Sequence, residues 1–153
     1  MIEPTRKTIA QTMAMIATTM PAIADTDGLS INGGGEITID GNDQYKIIDV
    51  NAPVTSSEIN IQNGSNSSGG GSIYVGASGD MTYRDGLMYS NEALGNGGAI
   101  FNGGTLTVER SSFSHNDSQA TGDAIYNSGT ATISNSNFTF NGEDTGGGAV
   151  QTA

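Results

Sequence analysis

Columns of like residues recur 25 positions apart, and few folds place every twenty-fifth side chain in an equivalent environment. Asn91, Asn116 and Asn141 form one column, Met88, Phe113 and Phe138 a second, and Ala99, Ala124 and Ala149 a third. The register extends to Met81, Leu106 and Ala131, to Tyr83, Val108 and Ile133, and to Gly79, Gly104 and Gly129. A period of this size, carried by short β-rich stretches between Gly and Asn turns, predicts a stacked solenoid in which each repeat is one rung. Ile73 breaks the spacing by standing 27 residues before Ile100. The two extra residues are expected in a loop around Gly76, Ala77 and Ser78, because loops absorb insertions that strands do not.

Composition points the same way. The chain has 23 glycines, many Ser, Thr and Asn residues and no Trp, so a single wide core is excluded while a narrow continuous one is not. Alternation in Leu106-Thr107-Val108 and Ala131-Thr132-Ile133 argues for strands over low-complexity disorder. The expected fold is all-β, a right-handed parallel β-helix of about four to five rungs. Three segments are expected. Residues 1–24 are a signal peptide or an N-terminal capping helix, residues 25–69 hold irregular N-terminal rungs, and residues 70–153 hold the regular repeats. Arg6 and Lys7, the uncharged run Thr8–Met20 and the small-x-small triplet Ala22-Ile23-Ala24 match the three parts of an export leader.

Within residues 25–69 strands are expected at Leu29–Ile31, Ile37–Ile39, Ile47–Val50 and Ile59–Ile61, with turns at Gly33–Gly35 and Ala52-Pro53. Asn63–Gly71 reads as a flexible polar crossing. The clear repeats start near Gly70, Gly97 and Gly122, and another begins at Gly146. The last rung of such a stack presents open strand edges, which predicts end-to-end self-association through the C-terminal rung.

Sixteen acids against five bases give a net charge of -11. Nucleic acids and anionic membranes demand clustered cations, so neither is expected as a partner, and no run of residues is long enough to insert through a bilayer. Cysteine is absent, which removes disulfides and thiolate metal sites.

The paired motifs Gly97-Gly98-Ala99-Ile100 and Phe113-Ser114-His115-Asn116 resemble the GGA[ILV] and FxxN motifs of the polymorphic outer-membrane protein repeat of chlamydial-type autotransporter adhesins. They are similar, too, to repeats of secreted bacterial right-handed parallel β-helix proteins. Phe138-Thr139-Phe140-Asn141 and Gly147-Gly148-Ala149-Val150 repeat the motifs. Gly122-Asp123-Ala124-Ile125 and Met88-Tyr89-Ser90-Asn91 each depart from them at one position. The resemblance implies a secreted or cell-surface, outer-membrane-associated passenger with an adhesive role, and a noncatalytic recognition module is the expected function.

The columns also have readings of their own. Asn91, Asn116 and Asn141 are expected to bond amide to amide as a ladder, with Met88, Phe113 and Phe138 filling the interior. Arg84 shares a column with Glu109, and Asp85 with Arg110, predicting two inter-rung ion pairs. That leaves Lys46 as the one unassigned base beyond the leader. Tyr74, Phe101 and Tyr126 share a column and are the candidate binding face for a glycan or a host or neighbouring-cell surface protein, with packing inside the solenoid or under a loop as the alternative.

No cofactor is expected. Asp40, Asp43, Glu143 and Asp144 offer at most weak calcium ligation, since neither acidic run has calcium-loop spacing. His115, the single histidine, lacks the partners of a general base and reads as a turn residue. A polysaccharide-active lyase or hydrolase, or a remnant of one, is the alternative from another class, and a structural spacer is a third.

Overall fold

The computed structural model describes residues 28–142 and 148–153. The leader, Glu143, Asp144 and the start of the repeat at Gly146 lie outside the described residues. Among those described there is no helix, and the chain winds as an all-β parallel solenoid of about five turns. The first turn holds β1 (Leu29–Asp40), and the second holds β2 (Ile48–Val50), β3 (Pro53–Gln62) and β4 (Ser65–Asn66). The third contributes β5 (Ile73–Val75), β6 (Asp80–Arg84), β7 (Leu87–Tyr89) and β8 (Glu92–Ala93). The fourth repeats that pattern as β9 (Ile100–Asn102), β10 (Thr105–Glu109), β11 (Ser112–Ser114) and β12 (Asp117–Ser118). The fifth holds β13 (Ile125–Asn127), β14 (Thr130–Ser134) and β15 (Asn137–Thr139), and β16 (Val150–Thr152) lies above β13.

Equivalent strands pair in parallel and form three sheets. The largest runs β14-β10-β6-β3-β7-β11-β15 with β1 on β3, the second β16-β13-β9-β5-β2, and the smallest β12-β8-β4. Partners in β6, β10 and β14 stand 25 residues apart, as Met81↔Leu106 and Leu106↔Ala131. Ile73↔Ile100 stands 27 apart, so the two additional residues fall in the loop Gly76–Gly79, where Ala77 and Ser78 are exposed.

The early turns are more regular than the sequence suggests. β1 is one strand with a bulge between Asn32 and Ile37 rather than two strands about a turn. Pro53 opens β3 instead of sitting in a turn; a proline lacks the N–H that an interior ladder position needs but fits a first strand residue. The segment read as a flexible crossing contains β4, which pairs with β8, and Asn66 Nδ2 ties it down by donating to Gly69 O at 2.6 Å.

Three files of left-handed residues bend every turn. Glu58, Asp85, Arg110 and Asn135 have φ of 54°, 56°, 46° and 50°. Asn63, Ser90, His115 and Phe140 have φ of 50°, 50°, 55° and 54°, and Gly70, Gly97 and Gly122 have 65°, 75° and 70°. The last file explains the first glycine of each GGA motif: a Cβ on Gly97 would lie 2.2 Å from the Ile100 carbonyl oxygen. Its neighbour Gly98 is small because a Cβ there would lie 2.1 Å from the Asp123 carbonyl oxygen on the next turn.

The core is the narrow file that the composition allows. Ile73, Ile100 and Ile125 are fully buried on one wall, with Met81, Leu106, Met88 and Phe113 opposite. Phe113 stacks on Phe138 with ring centroids 4.9 Å apart, and Tyr83 meets Phe113 edge-on at 6.1 Å. Tyr83 reaches across the interior to donate its hydroxyl to Ile59 O at 2.8 Å, and burial pushes its acidity far below that of a free phenol.

Candidate functional site

The corner asparagines are held by the solenoid they brace. Asn91 Nδ2 donates to Asn116 Oδ1 at 2.8 Å, and Asn116 Nδ2 donates to Asn141 Oδ1 at 2.9 Å. Each acceptor also takes the backbone N–H of the asparagine below it, at 3.1 Å in both steps. At the foot, Gly64 occupies the corner because a Cβ there would meet Ser72 Oγ at 1.9 Å. Its N–H donates to Asn91 Oδ1 at 2.9 Å. Two further ladders escaped the sequence reading. Asn102 Nδ2 donates to Asn127 Oδ1 at 2.6 Å, and Gly86 N–H donates to Ser111 Oγ while Ser111 N–H donates to Ser136 Oγ.

One of the two expected ion pairs forms. Arg110 grips Asp85 with Nε at 2.7 Å and Nη2 at 2.8 Å, which holds the Asp85 carboxyl below its ordinary range. Arg84 stands beside Glu109 in register, yet no ion pair closes between them; Glu109 turns instead to Arg110 Nη1 at 3.4 Å. The cause is geometric. Asp85 and Arg110 both lie on a left-handed bend, which throws their side chains outward together, and Glu109 is adjacent to that same guanidinium.

Tyr74 and Phe101 form one wall of a groove on the outer side of the second sheet, and Tyr126 continues their file beyond it. Tyr74 and Phe101 stack with centroids 4.9 Å apart and planes 7° from parallel, and Phe101 and Tyr126 follow at 5.3 Å and 29°. All three are half-buried, while their strand neighbours Ile73, Val75, Ile100 and Ile125 point into the core. The rings therefore face out of the solenoid and lie beside a lip of loop residues, between the two alternatives that the sequence left open.

That lip is a second file. Ser68, Gly95 and Ala120 succeed one another at the repeat spacing and line the same groove, together with Gly69 and Asn96. Two glycines of the lip have a local cause: a Cβ on Gly95 would lie 1.4 Å from Ser68 O, and one on Gly69 2.8 Å from Asn96 O and 3.1 Å from Phe101 Cδ2. Thr121 Oγ1 donates to Asn96 Oδ1 at 3.1 Å and knits successive loops together. The groove has a volume of about 580 Å³, within the range of ligand sites.

Lys46 closes its foot. Rather than standing alone, its Nζ lies 2.5 Å from Asp49 Oδ1 and 5.3 Å from the centre of the Tyr74 ring, inside the reach of a cation–π contact. Asp49 pairs in register with Tyr74, and Gln151 with Tyr126. The outward file thus reads Asp49, Tyr74, Phe101, Tyr126, Gln151.

A smaller hollow of about 310 Å³ gathers Asp43, Ser90, Asn91, Glu92, His115 and Asp117. His115 is exposed on the second left-handed file, with its ring 5.2 Å from that of Tyr89 and 5.3 Å from that of Phe140. Glu92 lies below Asp117 by the repeat, beside the His115 file, a grouping that the sequence analysis did not single out. Among the described residues, no three His, Cys, Asp or Glu side chains are grouped so as to hold a metal ion.

Asp40 spends its carboxylate on the protein itself, with Oδ1 accepting from Asn42 N–H and Oδ2 from Gln62 Nε2, both at 2.8 Å, and Asn63 Nδ2 donating to both oxygens. Partial burial opposes its ionisation, but the bonds from Gln62, Asn42 and Asn63 outweigh that and hold its pKa below the usual value.

Compared with known protein families, curated proteins and solved structures, the chain gives no match. No helix among the described residues is long and apolar enough to cross a membrane.

Proposed function

We propose that the chain is an exported, cell-surface recognition module, adhesin-like and noncatalytic, that binds an extended glycan lengthwise in the groove beside Tyr74 and Phe101 and along the file that Tyr126 continues. The observation that carries this reading is the opposition of two files, one aromatic and one of small residues, over successive turns. A ligand with a repeating structure meets the same wall again at each rung, about 4.8 Å farther on. Pyranose rings suit such a wall, having an apolar C–H surface for the aromatics and hydroxyls for Ser68, Asn96 and the tyrosine phenols. The resemblance of the GGAI and FxxN motifs to surface-passenger repeats supports export.

The test is retention of the folded protein on a panel of immobilised polysaccharides, with Phe101→Ala and Ala120→Trp as variants. Both substitutions should weaken binding about tenfold or more, equivalent to about 1.4 kcal/mol, the first by breaking the ring file and the second by filling the slot. Retention on a surface protein alone, or binding indifferent to both substitutions, refutes the glycan assignment.

A second reading, a polysaccharide-active enzyme or a remnant of one, draws on the hollow where Glu92 and Asp117 sit beside His115. Paired carboxyl groups flanking a glycosidic bond are the general machinery of its hydrolysis. This reading requires release of reducing ends that is abolished in Glu92→Gln and Asp117→Asn.

A further inference from the structure

Resting on the groove reading above, we infer that the glycan taken by this site is uncharged: a neutral polysaccharide rather than a uronate or a sulfated polymer. The groove is an electrically quiet strip on a strongly anionic protein. Its lining carries charge at a single point, the foot, where Lys46 Nζ and Asp49 Oδ1 lie 2.5 Å apart and cancel. Above that pair the outward file is Tyr74, Phe101, Tyr126 and Gln151, and the facing file is Ser68, Gly95 and Ala120. Neither wall bears a formal charge.

The rest of the chain decides against acidic ligands. A net charge of -11 sets up a repulsive potential of several kT for a polyanion, and the one cation at the groove is already committed. For a ligand carboxylate to use Lys46 it must displace Asp49, leaving that carboxylate beside the incoming one. A neutral glycan meets none of these penalties. The stacked rings supply apolar contact, and the Lys46 ammonium, held over the face of Tyr74, serves the protein by fixing the foot of the aromatic file.

The experiment measures affinity for a soluble neutral polymer, such as a β-glucan or a mannan, and for polygalacturonate. Wild type should bind the neutral polymer and not polygalacturonate. Its affinity should change less than about threefold between about 0.01 M and 1 M salt, although the screening length falls from about 30 Å to about 3 Å. Phe101→Ala and Ala120→Trp should both reduce this binding, placing it in the groove. Asp49→Asn should release Lys46, bring polygalacturonate binding to at least about tenfold above the wild-type detection limit and make that new binding salt-sensitive. Preference of wild type for polygalacturonate, lost in Phe101→Ala, overturns the neutral assignment while leaving the groove as the site. Failure of Asp49→Asn to gain acidic binding overturns the role given to the ion pair and leaves the preference for a neutral ligand to the net charge of the chain. Binding of neither polymer nor any other glycan by the folded protein removes the groove reading itself.

Discussion

Replacing Asn116 by Ala tests whether the corner ladder braces the stack. Asn116 Oδ1 accepts the Asn91 backbone N–H at 3.1 Å and Asn91 Nδ2 at 2.8 Å. Its own Nδ2 donates to Asn141 Oδ1 at 2.9 Å and to Met88 O at 3.1 Å. Four hydrogen bonds vanish with the side chain. At about 0.5–1.5 kcal/mol net for each, their loss spans about 2–6 kcal/mol. The enclosed Asn91 backbone N–H is left without an acceptor while its Nδ2 keeps only the long bond to Ile61 O at 3.5 Å, which moves the expectation to the upper part of that range, and water entering the corner moves it back. The expected loss is about 3–5 kcal/mol, a large share of the about 5–15 kcal/mol that holds a typical domain together.

In urea, with a slope of about 1–3 kcal/mol per molar, the unfolding midpoint should fall by more than about 1 M. Gln119→Ala on the exposed lip should stay within about 0.5 kcal/mol of wild type. A double-mutant cycle with Asn91→Ala separates ladder from corner, because adjacent rungs couple while remote ones do not. A loss below about 1 kcal/mol for Asn116→Ala, or strict additivity with Asn91→Ala, would refute the bracing role.

Two other substitutions follow from backbone shape and charge. Gly35 and Gly97 share a φ of 75°, but a Cβ on Gly35 meets nothing within 4 Å while one on Gly97 lies 2.2 Å from Ile100 O. Gly35→Ala should therefore cost only the left-handed penalty of about 1–2 kcal/mol, and Gly97→Ala clearly more, as read by thermal or urea unfolding; equal losses would contradict the packing account. Asp40 has a folded pKa below its unfolded value of 3.8, so its contribution is present above that value and lost as pH falls through the lower folded one. Asp40→Asn should shrink the acid-side drop in stability between about pH 5 and pH 2, and an unchanged acid limb in a pH series of melts would rule the assignment out.

What the sequence makes legible is repetition with constant chemistry. Asn91, Asn116 and Asn141 do one job at one corner, so identity survives from turn to turn, and the buried isoleucines and Phe113 with Phe138 obey the same logic. The bends do not announce themselves this way. Glu58, Asp85, Arg110 and Asn135 share a backbone angle and no side-chain property, because all of them project into water and only the φ value is constrained. The Asn102–Asn127 ladder was hidden for a related reason: its file continues as Val75 below and Thr152 above, and asparagine is too common in this chain to draw notice at two positions. The partner of Lys46 was within reach, since Asp49 stands 25 residues before Tyr74 and so belongs to the aromatic file.

The groove follows from the same construction rather than being added to it. Parallel stacking forces equivalent residues into register, so the short loops after β4, β8 and β12 stack closely enough to exclude a Cβ at Gly95. Glycine at position 95 is therefore a consequence of loop stacking, whereas Ala120 is exposed. These small residues leave room beside whatever occupies the outward position of β5 and β9. The three aromatics of the outward file gain contact with each other at rung spacing, which stabilises the sheet whether or not anything binds. A ligand role is thus distinguishable from a structural one by asymmetry. Filling the slot with Ala120→Trp should leave unfolding unchanged while removing glycan retention, whereas Phe101→Ala should weaken both. If Ala120→Trp leaves retention untouched, the aromatic file serves the solenoid alone.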